Sequence, residues 1–167
     1  MEVPVRTPDT PITTLRAECQ GRLSDIPALS ATVEAFCLAH GVGSPTAHKL
    51  VLGLEELLTN LAVHGTPGAG PLGTAPADPA PRVTVIVTLT RRRLVVSYED
   101  SGAPFDPLSV PAPDLEQPLA ARRVGGLGLH LIRTLMDEVT YCRVNERNRV
   151  TLVLGIPPPP VPPVRGD

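Results

Sequence analysis

The stretch LVLGLEELLTNLAVH, residues 50–64, predicts an amphipathic helix with two polar side chains on one face. Glu56 and Asn60 are four residues apart, so they lie one turn apart, about 6 Å along the axis. A carboxylate and an amide oxygen so placed can hold a hydrated Mg²⁺, and the carboxylate can instead take a proton from a hydroxyl. An ordinary polar helix edge is the alternative, and this pair alone does not separate the two.

A second polar segment, EDSGAPFDP, follows the apolar strand predicted at residues 94–99. Asp100 is an acceptor-only carboxylate at the strand end, which suits an exocyclic amino donor such as that of adenine. Gly102 lets the backbone approach a flat base closely. Asp-Ser-Gly is also a common turn sequence, so this segment alone fits either interpretation.

A third segment, RRVGGLGL at residues 122–129, leads directly into an apolar helical run. Glycines that open a helix expose N–H donors at its positive end, where phosphate oxygens bind. The segment is not a P-loop, because no Gly-Lys-Ser/Thr follows, and it lacks the strand and acidic context of the dinucleotide fingerprint. A glycine-rich hinge before a helix is the alternative.

In this order the three segments resemble the ATPase superfamily of gyrase, Hsp90 chaperones, histidine kinases and MutL. More narrowly, they resemble the anti-sigma-factor serine/threonine kinases, over residues 12–154. The matching patterns are Glu56-x-x-x-Asn60 with His64-Gly65, Asp100-Ser101-Gly102 with Pro104-Phe105-Asp106-Pro107, and Arg123-x-Gly125-Gly126-Leu127-Gly128-Leu129 with Met136-Asp137-Glu138-Val139.

The resemblance implies ATP and Mg²⁺ as cofactors and gives the matching residues roles. Glu56 would be the general base, Asn60 would ligate Mg²⁺, and Asp100 would bind the adenine amino group. Gly102 would line the base, and Arg123 would reach the terminal phosphate across a mobile lid. The remaining nucleotide-binding positions would be Gly125, Gly126, Leu127 and Gly128 at the phosphates and Thr151 near the adenine.

The implied function is an ATP- and Mg²⁺-dependent protein serine/threonine kinase acting as an anti-sigma regulatory factor on a small anti-anti-sigma partner. A sigma factor is the alternative partner, and the resembled kinases are commonly homodimers. A second function keeps the pocket without catalysis: a nucleotide-dependent module that sequesters a partner and needs no base at Glu56. The ATP-binding half of a histidine kinase is disfavoured, because no helical hairpin with a phosphoacceptor histidine precedes the predicted helix.

Composition favours one compact domain at residues 12–156, with an N-terminal extension at 1–11 and a proline-rich tail at 157–167. The chain has 167 residues, 42% of them hydrophobic, which excludes wholesale disorder. The net charge of −2 gives no reason to expect direct binding to nucleic acid. Three cysteines without paired spacing predict buried, reduced thiols. No leader pattern or apolar run long enough for a membrane is visible, so we expect a cytoplasmic protein.

The pattern along the chain predicts an α+β fold. Strands are predicted at 13–19, 82–90, 94–99, 139–145 and 149–156, and helices at 26–40, at 46–64 and from the glycine segment to about 136. This order suits a two-layer α/β sandwich, with helices on one face of a mixed, mostly antiparallel sheet. A Pro/Gly loop is predicted at 65–81, and 102–125 is either a nucleotide lid or a stiff surface loop.

Overall fold

The computed structural model describes residues 10–65, 80–111 and 127–157, whose strands and helices follow the predicted order. The strands are β1 (Thr13–Gln20), β2 (Arg82–Leu89), β3 (Arg93–Asp100), β4 (Glu138–Val144) and β5 (Arg147–Gly155). The helices are α1 (Ile26–Ala39), α2 (Ser44–His64) and α3 (Leu127–Leu135), with a short 3-10 helix, Leu23–Asp25, before α1. The described residues leave out residues 1–9 of the predicted extension, 66–79 and 112–126 of the predicted loops, and the tail from 158, so the roles of these segments stay predictions.

The described strands form one sheet in the order β1-β2-β3-β5-β4. All four pairings are antiparallel, so the mostly antiparallel sheet of the prediction is antiparallel throughout these strands. The order places β5 between β3 and β4, although β4 comes first in the sequence. As a result Asp100 on β3 lies opposite Asn148 on β5, and Asn148 lies opposite Arg143 on β4.

One face of the sheet is covered by the three described helices, which confirms the two-layer arrangement. Side chains alternate between buried and partly exposed along β2, β3 and β5, as the two-residue period of a strand requires. The buried set packs with the apolar faces of the helices into one core. Its largest fully buried members include Tyr98, Leu50, Leu54, Leu58, Leu94 and Leu152. Leucine and valine fill this core because the chain has only 2% aromatic residues.

The helix starts follow the sequence signals closely. α2 begins at Ser44 with Pro45 in its first turn, where the missing N–H of proline costs nothing. It runs for 21 residues without a break to His64, so Glu56 and Asn60 share one continuous helix. None of the described helices is long and apolar enough to cross a membrane.

The three cysteines differ in burial, which corrects the prediction that all are buried. All three are free thiols: Cys37 is buried, Cys19 is half-buried and Cys142 is exposed. Burial raises the pKa of the Cys19 and Cys37 thiols to about 11. Cys142 is exposed because it lies on the edge strand β4 and pairs with Arg149, on the face that the helices do not cover.

Candidate functional site

A cleft opens where β3 ends, between the last two turns of α2 and the loop that follows β3. The loop is tied to the helix end by a hydrogen bond from the backbone N–H of Ala103 to the carbonyl oxygen of Gly65, at 2.9 Å. The cleft is lined by Leu57, Asn60, Leu61, His64, Gly65, Tyr98, Asp100, Ala103, Phe105, Pro107, Asn148 and Val150. The structure therefore brings Asn60 and Asp100, from two separate sequence segments, to one cavity.

Asp100 is buried, with one carboxylate oxygen committed and the other open. Its Oδ1 accepts hydrogen bonds from the backbone N–H of Gly102 and from Nδ2 of Asn148, both at 2.8 Å. Its Oδ2 has no hydrogen-bond partner among the described residues. Burial raises the pKa of Asp100, while the two hydrogen bonds and the charges of Arg143 and Arg147 lower it. The open oxygen is available to a donor that enters the cleft.

Asn60 presents an oxygen, because its amide nitrogen is already used. Nδ2 donates to the backbone carbonyl of Glu56 at 2.8 Å, one turn earlier in α2. Oδ1 is therefore the free end of the side chain, and it can act only as an acceptor. This is the polarity that a Mg²⁺ ion or one of its water ligands requires.

Glu56 lies against the first turn of α3. A Cβ added at Gly128 would collide with the Glu56 carboxylate. Burial raises the pKa of Glu56, and the neighbouring charge of Glu55 raises it further. A carboxylate with a raised pKa is a stronger proton acceptor near neutral pH. The first backbone N–H groups of a helix have no partner within that helix and can bind an anion, so Glu56 lies beside the end of α3 that suits a phosphate.

Part of the predicted site lies beyond what the structure describes. Arg123, Gly125 and Gly126 fall in residues 112–126, so their predicted contacts with phosphate stay predictions. Leu127 is the first residue of α3, which agrees with a helix that starts at the glycine segment.

Thr151 is not among the residues that line the cleft, and its place near the adenine stays a prediction. It alternates with buried Val150 and Leu152 on β5, so it points to the sheet face without helices. Its neighbours there are Ser97 on β3 and Thr140 on β4. The two-residue spacing of the buried apolar positions in β5 is the signal that predicts this orientation.

β5 contributes Asn148 and Val150 to the cleft, and the polar one, Asn148, is a residue that the sequence analysis missed. It is 3% exposed, and its side chain makes five hydrogen bonds. Oδ1 accepts from Tyr141 Oη at 3.0 Å, Arg143 Nη1 at 2.9 Å and the backbone N–H of Phe105 at 3.3 Å. Nδ2 donates to Asp100 Oδ1 and to the carbonyl oxygen of Ala103, both at 2.8 Å.

Tyr98 is a second residue that the sequence analysis did not assign. It lines the cleft and is 1% exposed. Its hydroxyl has no hydrogen-bond partner among the described residues. Burial, with Asp100 as the next cause, raises its pKa well above the usual value, so the hydroxyl stays protonated and can donate.

Arg133 joins α3 to the loop that carries Phe105. Its Nη2 donates to the backbone carbonyls of Pro107 and Val110, both at 2.8 Å. The wall of the cleft formed by this loop is thereby held to the same helix whose first turn touches Glu56.

Gly102→Ala is expected to lower the free energy of unfolding by about 1–3 kcal/mol, a typical cost of overpacking. An added Cβ would lie 2.6 Å from Leu61 Cδ1 and 3.1 Å from the carbonyl oxygen of Gly65. Urea denaturation measures the change. Gly43→Ala is the control, because the nearest atom to its added Cβ is 3.8 Å away. Equal denaturation midpoints for Gly102→Ala and the native chain would contradict the close approach.

Comparison with known proteins places the chain in a family. The sequence profile of the histidine kinase-like ATPase domain matches residues 19–154, so the chain belongs to that family. It is 33% identical over 104 residues to the serine/threonine-protein kinase BtrW of Bordetella bronchiseptica, covering 62% of this chain and 66% of that relative. The chain thus spans slightly less than two thirds of this relative's length.

A solved structure has the same fold. The chain is similar to the crystal structure of the RsbU and RsbW domains of a Mycobacterium tuberculosis protein, with a TM-score of 0.57 and 15% identity. The likeness covers 89% of this chain and 34% of that one. It confirms the predicted α+β architecture.

Proposed function

We propose that this chain is an ATP- and Mg²⁺-dependent protein serine/threonine kinase that acts as an anti-sigma regulatory factor. The observation that carries the proposal is one α-helix that brings Glu56 to the first turn of α3 and Asn60 into the cleft of Asp100. The kinase name of the Bordetella relative and the RsbW domain of the solved structure support it. The substrate is a serine or threonine hydroxyl of a small anti-anti-sigma protein.

The cleft can bind adenine through one charged group and apolar walls. The open oxygen of Asp100 accepts the exocyclic amino group, while Leu57 and Val150 supply apolar surface for the ring faces. The backbone at Gly102 can approach the base closely. With the base in this place, the phosphates run toward α3 and Glu56.

The described residues fit a Mg²⁺ ion that is held mainly by the nucleotide. No group of three or more His, Cys, Asp or Glu residues in the described part of the chain could hold a metal by itself. Mg²⁺ in phosphoryl-transfer sites takes few protein ligands and several phosphate and water oxygens. Asn60 would supply one oxygen, and the ion, when bound, would offset charge on the transferring phosphoryl group.

Glu56 is the group of this chain that acts on the substrate. Its carboxylate would accept the proton of the partner's hydroxyl as the hydroxyl oxygen attacks the terminal phosphoryl group. The raised pKa of Glu56 suits this role. Arg123 and the glycines at 125 and 126 would contact the phosphates. A sigma factor would be the second partner, both partners would be met in the cytoplasm, and the kinase would act as a homodimer.

Titration calorimetry with ATP, with and without Mg²⁺, tests the nucleotide site. The native chain is expected to bind ATP more tightly with Mg²⁺, and Asn60→Ala is expected to lose that difference, because the free Oδ1 is the proposed ligand. Thr59→Ala, next to it on the helix, is the matched control and should behave like the native chain. A native chain that binds no ATP would refute the kinase, whereas an Asn60→Ala variant that keeps the Mg²⁺ effect would refute only the ligand.

A further inference from the structure

We propose that Asn148 is a positioning residue that sets the base selectivity of the cleft. Its fixed amide keeps Asp100 a hydrogen-bond acceptor. The site should therefore bind a purine that presents an amino group to Asp100 and exclude one that presents a carbonyl there. This inference rests on the proposed nucleotide-binding function and names the residue that decides which purine is bound.

The orientation of the Asn148 amide is fixed by its neighbours. Arg143 and the backbone N–H of Phe105 can only donate, and both point at one end of the amide, at 2.9 and 3.3 Å. That end is therefore the carbonyl oxygen, and it also accepts from the Tyr141 hydroxyl at 3.0 Å. The amino end is left to face Asp100 and Ala103.

The fixed amide commits Oδ1 of Asp100 as an acceptor. Oδ1 accepts hydrogen bonds from Nδ2 of Asn148 and from the backbone N–H of Gly102. A proton bound to Asp100 would therefore have to be on Oδ2, the oxygen that is open to the cleft. An ionised Oδ2 accepts from the amino group of adenine. A protonated Oδ2 donates, and it would suit the carbonyl oxygen of hypoxanthine or guanine instead.

Several groups face Asp100 and influence which form is present. Arg143 on β4 and Arg147 on β5 favour the carboxylate, and the Tyr98 hydroxyl lies on the same strand as Asp100. His64 lines the same cleft at the end of α2. Burial favours the protonated form, and the hydrogen bond from Asn148 is the largest influence against it. Loss of the Asn148 amide should therefore raise the pKa of Asp100.

The sign of the pH dependence follows from this shift. ATP needs the ionised form, so affinity is lost as the pH falls through the raised pKa and is recovered above it. Inosine triphosphate carries a carbonyl in place of the amino group, so its affinity should rise as the affinity for ATP falls. In a variant that lacks the Asn148 donor, the ratio of ATP affinity to inosine triphosphate affinity should therefore fall as the pH is lowered and rise again as the pH is raised.

The test measures ATP and inosine triphosphate affinities of the native chain, Asn148→Ala, Asn148→Ser and Arg143→Gln from about pH 5.5 to 8.5. Variant affinities are expressed relative to native at each pH, which cancels titration of the nucleotide phosphates. Between pH 8.5 and pH 5.5, Asn148→Ala is expected to lose about tenfold in ATP affinity relative to the native chain, the scale of one hydrogen bond to a charged group, and its preference for ATP should shrink. Asn148→Ser keeps a hydroxyl donor and should stay near native.

A structural role without control of Asp100 gives a different result. Asn148→Ala would then lose ATP affinity equally at every pH, with an unchanged ratio of ATP to inosine triphosphate, and the inference would be overturned. Arg143→Gln is the second variant if Asn148→Ala does not fold, because it replaces the charged donor to the amide oxygen with a shorter neutral one and removes a positive charge near Asp100. A pH-independent affinity ratio in Arg143→Gln would also count against the inference. A native chain that binds neither nucleotide would refute the proposed function itself.

Discussion

Asp100→Asn is expected to weaken ATP binding by about 100-fold, equivalent to about 2.7 kcal/mol. The new side chain can keep its oxygen toward Gly102 and Asn148, so the internal hydrogen bonds of the site survive. Its amino group then replaces the open carboxylate oxygen and faces the amino group of adenine. The amide nitrogen of the new side chain and the amino group of adenine would both be donors, so neither would find an acceptor in this buried cleft. Titration calorimetry with ATP measures the loss.

Two controls isolate this effect from general damage. Asp106→Asn makes the same exchange farther along the loop that follows β3, where Asp106 Oδ1 accepts a hydrogen bond from the backbone N–H of Leu108, and it should bind ATP like the native chain. Thr151→Ala tests whether Thr151 lies near the adenine, and because its side chain is on the sheet face without helices, ATP binding should be unchanged. Equal affinity of Asp100→Asn and the native chain would show that the base lies elsewhere.

Glu56→Gln is expected to slow phosphotransfer to the partner by about 10²–10⁴-fold, the usual contribution of a general base. ATP affinity should change little, because the amide keeps the size of the carboxylate at Gly128. The rate for the native chain should fall as the pH falls through the raised pKa of Glu56, since protonation removes the acceptor. The assay follows transfer of labelled phosphate from ATP to an anti-anti-sigma protein of the same organism.

Glu55→Gln is the matched control for this prediction. Glu55 is the next residue on α2, but it points toward α1, where it accepts a hydrogen bond from Ser30 Oγ at 2.7 Å. At a pH well above the pKa of Glu56, where that carboxylate is ionised with or without the charge of Glu55, the Glu55→Gln variant should transfer phosphate at the native rate. If Glu56→Gln also keeps that rate, Glu56 is not the base. A native chain that binds ATP and the partner without transferring phosphate would instead support the sequestering module.

The elements of the fold could be predicted from local patterns. The helix that carries Glu56 and Asn60 and the strand that ends at Asp100 both show in their own residues, through apolar spacing and end signals. The meeting of Asn60 with Asp100 came only from the family resemblance, because it depends on contacts between distant segments. The structure places both residues in one cleft.

Asn148 could not be predicted in this way, because its role depends on the order of strands. β5 lies between β3 and β4, and this order surrounds Asn148 with Asp100 on one side and with Arg143 and Tyr141 on the other. No local period reveals that order. The direction of the Thr151 side chain is a different case, since the alternation of buried and exposed positions within β5 alone predicts it.

Because α2 is unbroken from Ser44 to His64, it fixes the distances between the site residues that it carries. Glu56, Asn60 and His64 mark it at successive turns, and the intervals of about 6 Å are set by helix pitch, independently of either flanking loop. Deleting one residue between Glu56 and Asn60 would turn everything beyond it by about 100° and swing Asn60 out of the cleft while Glu56 stayed in place. The spacing between proton acceptor and metal ligand is therefore tied to the length of this helix and can change only in whole turns.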